Sequence, residues 1–479
     1  MKTFWKYFSI ILLLLIGLCM LGILYLFFVP NSSIFGLRYL SLNETIYSDR
    51  YTAESFNKVT VNSHAYEVYV EPSDSENIIV SLYVNSLGFT LVDNSNYSID
   101  ADIDGSELVF DITEPTGALV RNDSHITVMI PADTSIALEL NNDSANTYID
   151  HSSLNITELS YTTKSGDFEF TSGSVSGAMD LDIGKADFKI GAEVGTNNNS
   201  VTIDSTTGLF EAQPDLGDIV VLSSDRAVFR LINCNSFYMN DNDAGGSIDI
   251  SQVQRVEIIS SDTNITLGEV ANDTSIENAI RIELTKTGKI DIQTTHQQAT
   301  LITNDGNINV VTALDIINPS TQDGNVTIGT SKALVNFQSD YGNLDVSYSL
   351  DTDADRRLIA RTNNGRLTIR NVDNIAITVN GNGRVDVEMN AVLGNNIITA
   401  KSGSVRVIMP DSAEYKLHTY TESGEVNVNL LEISAGGGYK DKEKTTYINS
   451  ATDSSPSMDI STTTGSLYVR DRTLEDAGY

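Results

Sequence analysis

Apolar and polar residues alternate in short phrases through most of this chain, and one such phrase follows each of twelve glycines. From Gly288 to Gly424, the seven intervals between successive glycines of this set measure 18 to 23 residues. The set comprises Gly166, Gly208, Gly246, Gly288, Gly306, Gly324, Gly342, Gly365, Gly383, Gly403, Gly424 and Gly465. A fixed period of this length predicts a chain that winds into stacked coils.

The second and fourth residues after each of these glycines are apolar without exception, as Val385 and Val387 are after Gly383. The residues between them are polar or charged, apart from Leu209 and Tyr468. Strict alternation predicts a strand with one buried and one solvated face. The glycine itself is expected to form a sharp corner, where it can adopt a positive φ at no steric cost.

A second column stands three residues before each glycine and consists mainly of small hydroxyl residues. Its members are Thr163, Ser205, Asp243, Thr285, Thr303, Thr321, Ser339, Thr362, Asn380, Ala400, Thr421 and Thr462. Stacked hydroxyl groups are expected to hydrogen-bond to one another or to the backbone just before the corner. A β-sandwich is the alternative, but its hairpin turns would recur every ~8–12 residues and would not keep a hydroxyl in register.

These patterns predict an all-β fold, a β-solenoid (parallel β-helix) with coils of about 18–23 residues, after one N-terminal transmembrane helix. About 20 coils are expected along the chain. The predicted divisions are 1–7 as a cytoplasmic N-terminus, 8–29 as a transmembrane signal-anchor helix, 30–57 as a stalk, 58–250 as a first solenoid module and 251–479 as a second module with a C-terminal cap. Two modules are predicted because the phrase Ile126–Pro131 returns as Val405–Pro410. Arg470, Asp471 and Arg472 are expected to shield the far end of the last coil.

The segment 8–29 carries no charge, and a helix of this length spans about 33 Å, enough to cross the hydrocarbon core of a bilayer. Lys2 and Lys6 precede it, whereas the next basic residue is Arg38. The positive-inside rule then predicts a single-pass membrane protein with a cytoplasmic N-terminus and everything after Pro30 extracellular or lumenal. A cleaved signal peptide is the alternative, although the apolar run is long for one and lacks small residues at a cleavage site.

The net charge of −34, from 64 acidic and 30 basic residues, argues against nucleic acid as a partner and against a chain lying on an anionic membrane. Self-repulsion that keeps the chain soluble is the simple explanation, and a surface that holds divalent cations is the other. Cys19 and Cys234 are the two cysteines. Because Cys19 lies in the apolar segment, the rest of the chain contains one cysteine and is expected to have no internal disulfide. Cys234 is expected to be buried like an apolar residue.

No metalloprotease, serine-hydrolase, phosphate-loop or paired-cysteine motif is present in the sequence. The histidines lack a second His or Cys at metal-ligand spacing; they are His64, His125, His151, His296 and His418. No catalytic, cofactor-binding or metal-binding residue is therefore predicted, and no cofactor.

Two acidic segments are candidates for calcium loops. Asp100–Gly105 with Asp111 has the spacing of acidic residues that opens such a loop. The same acidic residues also alternate with apolar ones, as on the solvent-exposed face of a strand. Asp351, Asp353 and Asp355 form the second segment, which Arg356 and Arg357 are expected to neutralise.

Ten Asn-x-Ser/Thr sequons occur and are of use only in a eukaryotic source. They begin at Asn31, Asn43, Asn96, Asn122, Asn142, Asn155, Asn198, Asn264, Asn272 and Asn325.

Three Ser-Gly phrases resemble the Ser-Gly-Asp-Val repeats of the putative adhesin domain family, whose function is uncharacterised and which is similar to autotransporter adhesin heads. The phrases are Lys164–Phe170, Lys401–Val407 and Glu422–Val428. The resemblance covers about residues 58–475. It implies a right-handed β-solenoid and a surface role, with no agreed active site to carry over.

Together these features predict a membrane-anchored, non-enzymatic protein of the cell surface or a lumen, an adhesin or an envelope scaffold. Its expected partners are the membrane, through residues 8–29, and a glycan or cell-surface protein. The alternative is a carbohydrate-active β-helix enzyme, a polysaccharide lyase or hydrolase, which needs carboxylates that converge from neighbouring coils. The outward position three residues after each glycine disfavours this, because its acids are separated by neutral residues: Asp291, Asn309, Thr327, Asp345, Thr368, Asp386, Arg406. Self-assembly through the solenoid ends is a third hypothesis, and the oligomeric state does not follow from the sequence.

Overall fold

The chain forms two compact units, unit 1 (Met1–Pro214) and unit 2 (Asp215–Tyr479). The structure, a computed structural model, describes residues 2–29, 33–34, 37–91, 97–113, 121–196, 199–270, 280–431 and 440–473. One apolar helix precedes strands that wind into a β-solenoid of about 13 turns, which confirms the predicted fold class. The expectation of about 20 coils is wrong, because some strands are long enough to continue through a corner and others pair antiparallel instead of forming coils.

Unit 1 begins with helix α1 (Lys2–Phe28). Its segment Trp5–Leu26 is the one helix among the described residues that is long and apolar enough to cross a membrane. A 3-10 turn, Ala53–Ser55, follows β2. The strands are β1 (Ser33–Ile34), β2 (Leu37–Thr52), β3 (Lys58–Ser63), β4 (Glu67–Ser73), β5 (Asn77–Leu91), β6 (Ser98–Asp104), β7 (Glu107–Thr113), β8 (Arg121–Asn122), β9 (His125–Pro131), β10 (Ser135–Asn142), β11 (Thr147–Thr163), β12 (Phe168–Val175), β13 (Met179–Ile183), β14 (Phe188–Thr196), β15 (Val201–Ser205) and β16 (Leu209–Ser224), which contains the division between the units.

The first part of unit 1 is not built from coils alone. β2 pairs antiparallel with β5 from Leu37 opposite Leu91 to Thr52 opposite Asn77. Much of the stretch predicted as a stalk, 30–57, is therefore part of the sheet. The hydrogen-bonding that β2 gains from β5 makes this stretch ordered even though its apolar residues show no clear period.

Farther along, unit 1 stacks parallel strands in register. Phe168 lies opposite Phe188, and Phe188 lies opposite Phe210. The rings of Phe168 and Phe188 are stacked, with centroids 4.3 Å apart and planes 2° from parallel. Identical apolar side chains on adjacent coils thus form a continuous inner column, as the period of the sequence predicts.

On the outer face of unit 1, Asp182 of β13 lies directly opposite Asp204 of β15. Burial, and then repulsion from Asp204 and Asp180, raise the pKa of Asp182. A carboxyl whose pKa is raised by folding binds its proton more tightly in the folded state. The contribution of Asp182 to the stability of unit 1 is therefore fully present below the unfolded pKa. It is lost as the pH rises through the folded pKa.

Replacing Asp182 by asparagine is expected to stabilise unit 1 slightly at neutral pH. The gain is a few tenths of a kcal/mol, because exposed like charges are screened by solvent and salt. Thermal unfolding of both proteins at neutral and at acidic pH measures it. The gain should vanish at acidic pH, where Asp182 is protonated, and shrink in high salt; an equal gain at both pH values would contradict the repulsion.

Unit 2 contains the remaining strands. They are β17 (Val228–Asn240), β18 (Ser247–Ser260), β19 (Asn264–Val270), β20 (Ile280–Leu284), β21 (Lys289–Thr295), β22 (Ala299–Thr303), β23 (Asn307–Ala313), β24 (Ile317–Thr321), β25 (Asn325–Ser331), β26 (Val335–Ser339), β27 (Asn343–Tyr348), β28 (Arg357–Thr362), β29 (Arg366–Val372), β30 (Asn374–Asn382), β31 (Arg384–Met389), β32 (Asn395–Ser402), β33 (Ser404–Met409), β34 (Tyr415–Thr421), β35 (Val426–Asn429), β36 (Glu443–Ile448), β37 (Ser457–Thr462) and β38 (Ser466–Asp471). The module boundary near residue 250 stays a prediction; that residue lies within β18.

Two columns of parallel strands make up the coils of unit 2. The even-numbered strands from β20 to β26 pair with one another, as do the odd-numbered strands from β19 to β33. Val385 and Val405 lie directly opposite each other in this register. Both are buried, as are the residues at the second and fourth positions after all twelve glycines. Stacked coils, and not two facing sheets, therefore form the core.

The last segment of the chain does not form the last coil. β37 lies between β32 and β34, and β38 lies between β33 and β35, all in parallel register. Residues 457–471 thus insert between two coils that are consecutive in sequence. β36 pairs antiparallel with β34. The expectation that Arg470, Asp471 and Arg472 shield the far end is wrong, since Arg470 lies between Ile408 and Asn429 inside the stack.

The glycine corners owe their residue type mainly to close packing. A positive φ, which the sequence predicts for the corner, occurs at Gly208, Gly246, Gly288 and Gly403. At the other corners the backbone of the preceding coil fills the space that a side chain would need. A Cβ added to Gly324 would overlap the carbonyl oxygen of Gly306. Eight glycines from Gly306 to Gly465 repeat this relation, each against the glycine of a neighbouring coil.

The hydroxyl column hydrogen-bonds to the corner as predicted. The N–H of Gly306 donates to Thr303 Oγ1 at 2.9 Å, and that of Gly324 donates to Thr321 Oγ1 at 2.8 Å. Two predicted members are out of register because their corners contain one more residue. Leu284 replaces Thr285 opposite Thr303, and Val379 replaces Asn380 opposite Thr362.

Replacing Thr321 by valine is expected to destabilise unit 2 by about 1–3 kcal/mol, because the N–H of Gly324 would be left buried without an acceptor. Thr321 is 3% exposed and also donates to the Asn304 carbonyl oxygen at 3.1 Å. Chemical denaturation of the full chain measures the change. Thr327→Val is the control, because Thr327 is exposed on the outer face of β25; an equal loss in both variants would contradict the role of the hydroxyl.

Candidate functional site

A shallow groove of about 390 Å³ runs over the corners of four successive coils in unit 2. We call it the corner groove. Its lining residues are Glu283, Leu284, Thr285, Ile302, Thr303, Asn304, Ser320, Thr321, Gln322, Gln338, Ser339 and Asp340.

The corner groove follows from the register of β20, β22, β24 and β26. Glu283 lies opposite Ile302, Ile302 opposite Ser320, and Ser320 opposite Gln338, so that one outward residue per coil faces the groove. The corners beside them add a second row, in which the N–H of Gln322 donates to the Asn304 carbonyl oxygen at 2.9 Å. Backbone spacing between coils repeats these groups about every 4.8 Å.

Amide and hydroxyl side chains dominate the floor and rim of the corner groove. Gln322 and Gln338 are exposed, and Asn304 is half-buried. Each amide offers both donors and an acceptor. A regular row of such groups can hydrogen-bond the successive units of an extended, uncharged polymer that carries hydroxyl groups.

The two carboxylates of the corner groove do not form a catalytic pair. Glu283 and Asp340 stand at its opposite ends, three coils apart, or about 14 Å at the spacing of a sheet. Glycoside hydrolysis requires two carboxyl groups separated by about 5–9.5 Å. Both are also engaged, since Arg281 Nη2 lies 3.2 Å from Glu283 and Asn363 Nδ2 donates to Asp340 at 2.8 Å.

An asparagine ladder lies on the other side of the same corners. Asn325 Nδ2 donates to Asn307 Oδ1 at 3.3 Å, and Asn343 Nδ2 donates to Asn325 Oδ1 at 2.7 Å. The ladder ends where the N–H of Arg366 donates to Asn343 Oδ1 at 2.8 Å. These amides bond to one another and so stabilise the stack.

The two acidic segments have separate structural explanations. Asp100 and Asp111 face each other across the antiparallel β6–β7 hairpin, and Gly105 takes the positive φ of its turn. In the second segment, Lys332 Nζ lies 2.6 Å from Asp351, and Arg357 Nη2 lies 2.6 Å from Asp355.

Arg356 takes a different role from the one predicted. Its guanidinium points inward and lies 2.9 Å from Asp373 Oδ2. Its ion pair is therefore with a buried carboxylate, while its charge also acts on Asp351 of the loop.

The histidines lie apart from one another. His64 contacts Asp143, His296 contacts Glu269, and His418 lies near Glu443 and Asp459. His151 is buried, with Nε2 2.8 Å from the Ile130 carbonyl oxygen, and the ring of His125 packs against Tyr69 and Tyr83. Within the described ranges, His, Cys, Asp and Glu side chains form no group of three that could hold a metal ion.

Cys234 is buried, 3% exposed, and burial raises the pKa of its thiol to about 12. The thiol is thus unreactive, which agrees with the apolar role that the sequence indicates.

The sequons differ in accessibility. Asn142 is 1% exposed and donates to the Tyr66 carbonyl oxygen at 3.0 Å, so the folded chain cannot be glycosylated there. Asn43, Asn264 and Asn325 are exposed. Asn31, Asn96, Asn198 and Asn272 lie outside the described residues.

Sequence reasoning missed the corner groove. Its signal is present, because Asn304, Gln322 and Asp340 each stand two residues before a glycine of the repeat. That position falls between the two predicted strands, so the alternation that defines strands says nothing about it.

Residues 357–470 match the model of the family described as Toastrack DUF4097. The match begins with the first residue of β28 and reaches β38, about a quarter of the chain. It supports the predicted adhesin-family resemblance for this stretch and does not bear on the Ser-Gly-Asp-Val detail. No curated protein matches the chain.

Several solved structures are similar to this chain. A putative cell adhesion protein from Clostridium sporogenes is 11% identical, with 90% of this chain and 100% of that chain covered and a TM-score of 0.15. A putative adhesin from Bacteroides fragilis is 12% identical, with 68% and 96% covered and a TM-score of 0.16. A putative adhesin from Parabacteroides distasonis is 12% identical, with 68% and 95% covered and a TM-score of 0.19. At these identities and TM-scores the similarity carries no information about ligand or activity.

Proposed function

We propose that this chain is a membrane-anchored, non-enzymatic protein that presents a β-solenoid outside the cytoplasm and binds a ligand along its coils, as an adhesin or an envelope scaffold. The observation that carries the proposal is the corner groove, whose polar groups repeat coil after coil while its two carboxylates stand too far apart for hydrolysis. A surface of this kind binds by many weak, equivalent contacts. The Toastrack match over residues 357–470 is consistent with it.

The anchor in this proposal is α1. Its mean hydropathy over the spanning window is 2.8, and its large apolar side chains, such as Leu13 and Leu14, are exposed to their surroundings. Such a surface is stable in lipid and costly in water. Lys2 and Lys6 on its N-terminal side favour a cytoplasmic N-terminus.

The intact mass of the protein, extracted from membranes of its natural host, tests the anchor. The proposal expects a mass that includes residues 8–29, together with protease digestion of the bulk of the chain from outside intact cells or inside opened vesicles. A mature chain that begins after Pro30 and leaves the membrane fraction on carbonate washing would replace the anchor by a cleaved signal peptide.

The ligand proposed for the corner groove is a neutral, linear glycan. The groove presents amides and hydroxyls with its charges confined to the ends, which suits hydroxyl-rich, uncharged units. A screen of the full chain in detergent against neutral polysaccharides, with and without calcium, tests this.

Gln322→Ala combined with Gln338→Ala should weaken binding to any neutral glycan found by about tenfold, since each lost hydrogen bond contributes about 0.5–1.5 kcal/mol. Asn336→Ala is the matched control, because Asn336 is an exposed amide on β26 outside the groove. If the control and the double variant lose equal affinity, or if no neutral glycan binds, the corner groove is not the ligand site.

A further inference from the structure

The last coil of unit 2 fills a slot whose two walls come from earlier parts of the chain. We call residues 457–471, which form β37 and β38, the C-terminal coil. One wall of the slot is the coil of β32 and β33, and the other is the coil of β34 and β35. Because these walls are consecutive in sequence, the C-terminal coil is the one part of the stack that is held by insertion.

The C-terminal coil is bound along both of its edges and on its inner face. The N–H of Ser466 donates to the Gly403 carbonyl oxygen at 3.1 Å, and that of Leu467 donates to the Glu425 carbonyl oxygen at 2.7 Å in the opposite wall. Its inward side chains are at most 1% exposed: Met458, Ile460, Leu467 and Val469. An unfilled slot would expose sheet edges and apolar side chains, so it favours pairing with a coil of this sequence.

The corner of the C-terminal coil is matched to the slot. A Cβ added to Gly465 would overlap the carbonyl oxygen of Gly403, and one added to Gly424 would overlap that of Gly465. Thr462 Oγ1 lies 3.0 Å from Thr421 Oγ1 and donates to the Gly465 carbonyl oxygen at 2.7 Å. The slot therefore selects a corner with a threonine three residues before a glycine, which every copy of this chain carries.

Two residues just after β38 fasten the C-terminal coil to more distant parts of the stack. Arg472 Nη2 donates to the Met389 carbonyl oxygen at 3.0 Å and lies 3.0 Å from Glu388. Thr473 Oγ1 donates to Asp411 at 2.6 Å. These contacts, like those in the slot, join the C-terminal coil to residues before β36. They are therefore the same whether the coil and the slot belong to one chain or to two.

The connection that leads into the C-terminal coil is strained. Residues 449–456 link β36 to β37, which lie on opposite edges of β34. Asn449 and Ser450 have φ values of 51° and 66°. This left-handed region is uncommon for residues other than glycine, and asparagine tolerates it better than serine does. An extended connection would relieve the strain, and a short, strained hinge favours exchange of the segment that follows it.

Other contacts of the same connection favour the closed form. Asn449 Nδ2 donates to the Ala413 carbonyl oxygen at 3.0 Å. Asp453 accepts a hydrogen bond from the Tyr447 hydroxyl at 2.6 Å and lies 3.2 Å from Lys416 Nζ. The closed and exchanged arrangements share every contact of the coil with the slot. The balance between them is therefore set by this connection, and exchange of an identical element is a low-cost route to a dimer.

We infer that two copies of this chain exchange their C-terminal coils, each coil filling the slot of the other copy. The partner is a second copy because the slot selects the corner and the two fastening residues that each copy carries. This pairing differs from assembly through the ends of the solenoid, since the exchanged coil lies inside the stack. It rests on neither the corner groove nor the anchor. A dimer holds a repeating ligand by two chains at once, which raises the overall affinity.

Cross-linking between two full chains tests the exchange. Thr399 on β32 and Ser461 on β37 lie opposite each other, with their hydroxyl oxygens 3.4 Å apart. One chain carries Thr399→Cys and the other Ser461→Cys, with different tags and with Cys19→Ala in both. The two are co-expressed, purified in neutral detergent and treated with a short bifunctional maleimide; Cys234 is buried and stays unmodified. A product with both tags is expected, because exchange brings these two cysteines together.

The matched control is the pair Thr378→Cys and Thr399→Cys, placed in separate chains. Thr378 and Thr399 lie opposite each other on β30 and β32, which stay within one chain in both arrangements. This pair should give at least about tenfold less of the two-tag product. Two chains that merely lie side by side would cross-link through both pairs alike or through neither, and either result would overturn the inference.

A chain that carries both Thr399→Cys and Ser461→Cys shows that the cysteines react and that the coil is docked. It should give a covalent dimer, and a product joined only within single chains would overturn the inference.

The connection is tested by Ser450→Gly in the cross-linking chains. Glycine adopts a positive φ without strain, so the closed form should gain and the two-tag product should fall by about threefold or more. Asn371→Gly is the control, since Asn371 has a φ of 61° in β29 and lies outside the connection; it should leave the yield unchanged. Equal yields from the two glycine variants would contradict the role of the strained connection in the exchange.

Discussion

Replacing Gly324 by alanine is expected to lower the free energy of unfolding of unit 2 by about 3 kcal/mol or more. Overpacking costs about 1–3 kcal/mol where side chains can move aside, but here the obstacle is backbone. The added Cβ would overlap the carbonyl oxygen of Gly306 and lie 2.7 Å from Thr321 Oγ1. Gly324 and Gly306 belong to adjacent coils in a continuous stack, so neither can move without displacing further coils.

Chemical denaturation of the full chain, followed by circular dichroism, measures this loss. Gly245→Ala is the control within unit 2, because the nearest atom to its added Cβ is the Asp225 carbonyl oxygen at 3.2 Å, and a shift of a few tenths of an ångström relieves the contact. The control should lose less than about 1 kcal/mol. Equal losses at the two positions would mean that glycine is needed for its flexibility and not for the close approach of the coils.

Replacing Arg356 by methionine is expected to cost unit 2 about 3–5 kcal/mol, because it leaves the carboxylate of Asp373 buried without its counter-charge. The two side chains are 9% and 8% exposed, with Arg356 Nη1 2.9 Å from Asp373 Oδ2. Arg356 also donates to the carbonyl oxygens of Ser349 and Asp351. It therefore fastens the loop before β28 to the coil that carries Asp373.

The neighbouring residue provides the control. Arg357 pairs with Asp355 at the surface, where both side chains are about half exposed, and Arg357→Gln should cost less than about 1 kcal/mol. Denaturant titration of both variants measures the difference. Adding Asp373→Asn to Arg356→Met should recover part of the loss, because it removes the unpaired charge. If the double variant is less stable than the single one, the carboxylate is not what the arginine neutralises.

Much of the core could be predicted from the sequence. Burial of a strand face depends on alternate residues of one short segment, so Val385 and Val387 already show it without knowledge of their neighbours. The hydroxyl column is also a local signal, because it stands at a fixed position before each glycine. Thr303 and Thr321 hydrogen-bond to their corners as this position predicts. The prediction for Thr285 was wrong because one additional residue in a corner shifts the register. That residue leaves the alternation of the strand before it unchanged, so the sequence pattern does not reveal it.

The candidate sites could be predicted only in part. The corner groove combines residues that are far apart in the chain, as Gln322 and Gln338 each are from Glu283. The period of the repeat places such residues in columns. It does not show which columns border a groove, because that depends on the path of the backbone at the corners.

The sequence by itself determined the all-β solenoid, the apolar columns inside it and the apolar N-terminal helix, because each is written in the local order of apolar and polar residues. The tertiary structure alone decided which coils are neighbours. It placed β38 between β33 and β35, turned Arg356 inward while Arg357 faces solvent, and made close approach the reason for Gly324. These outcomes depend on contacts between segments far apart in the chain, where backbone hydrogen bonding and packing of whole coils outweigh any local preference.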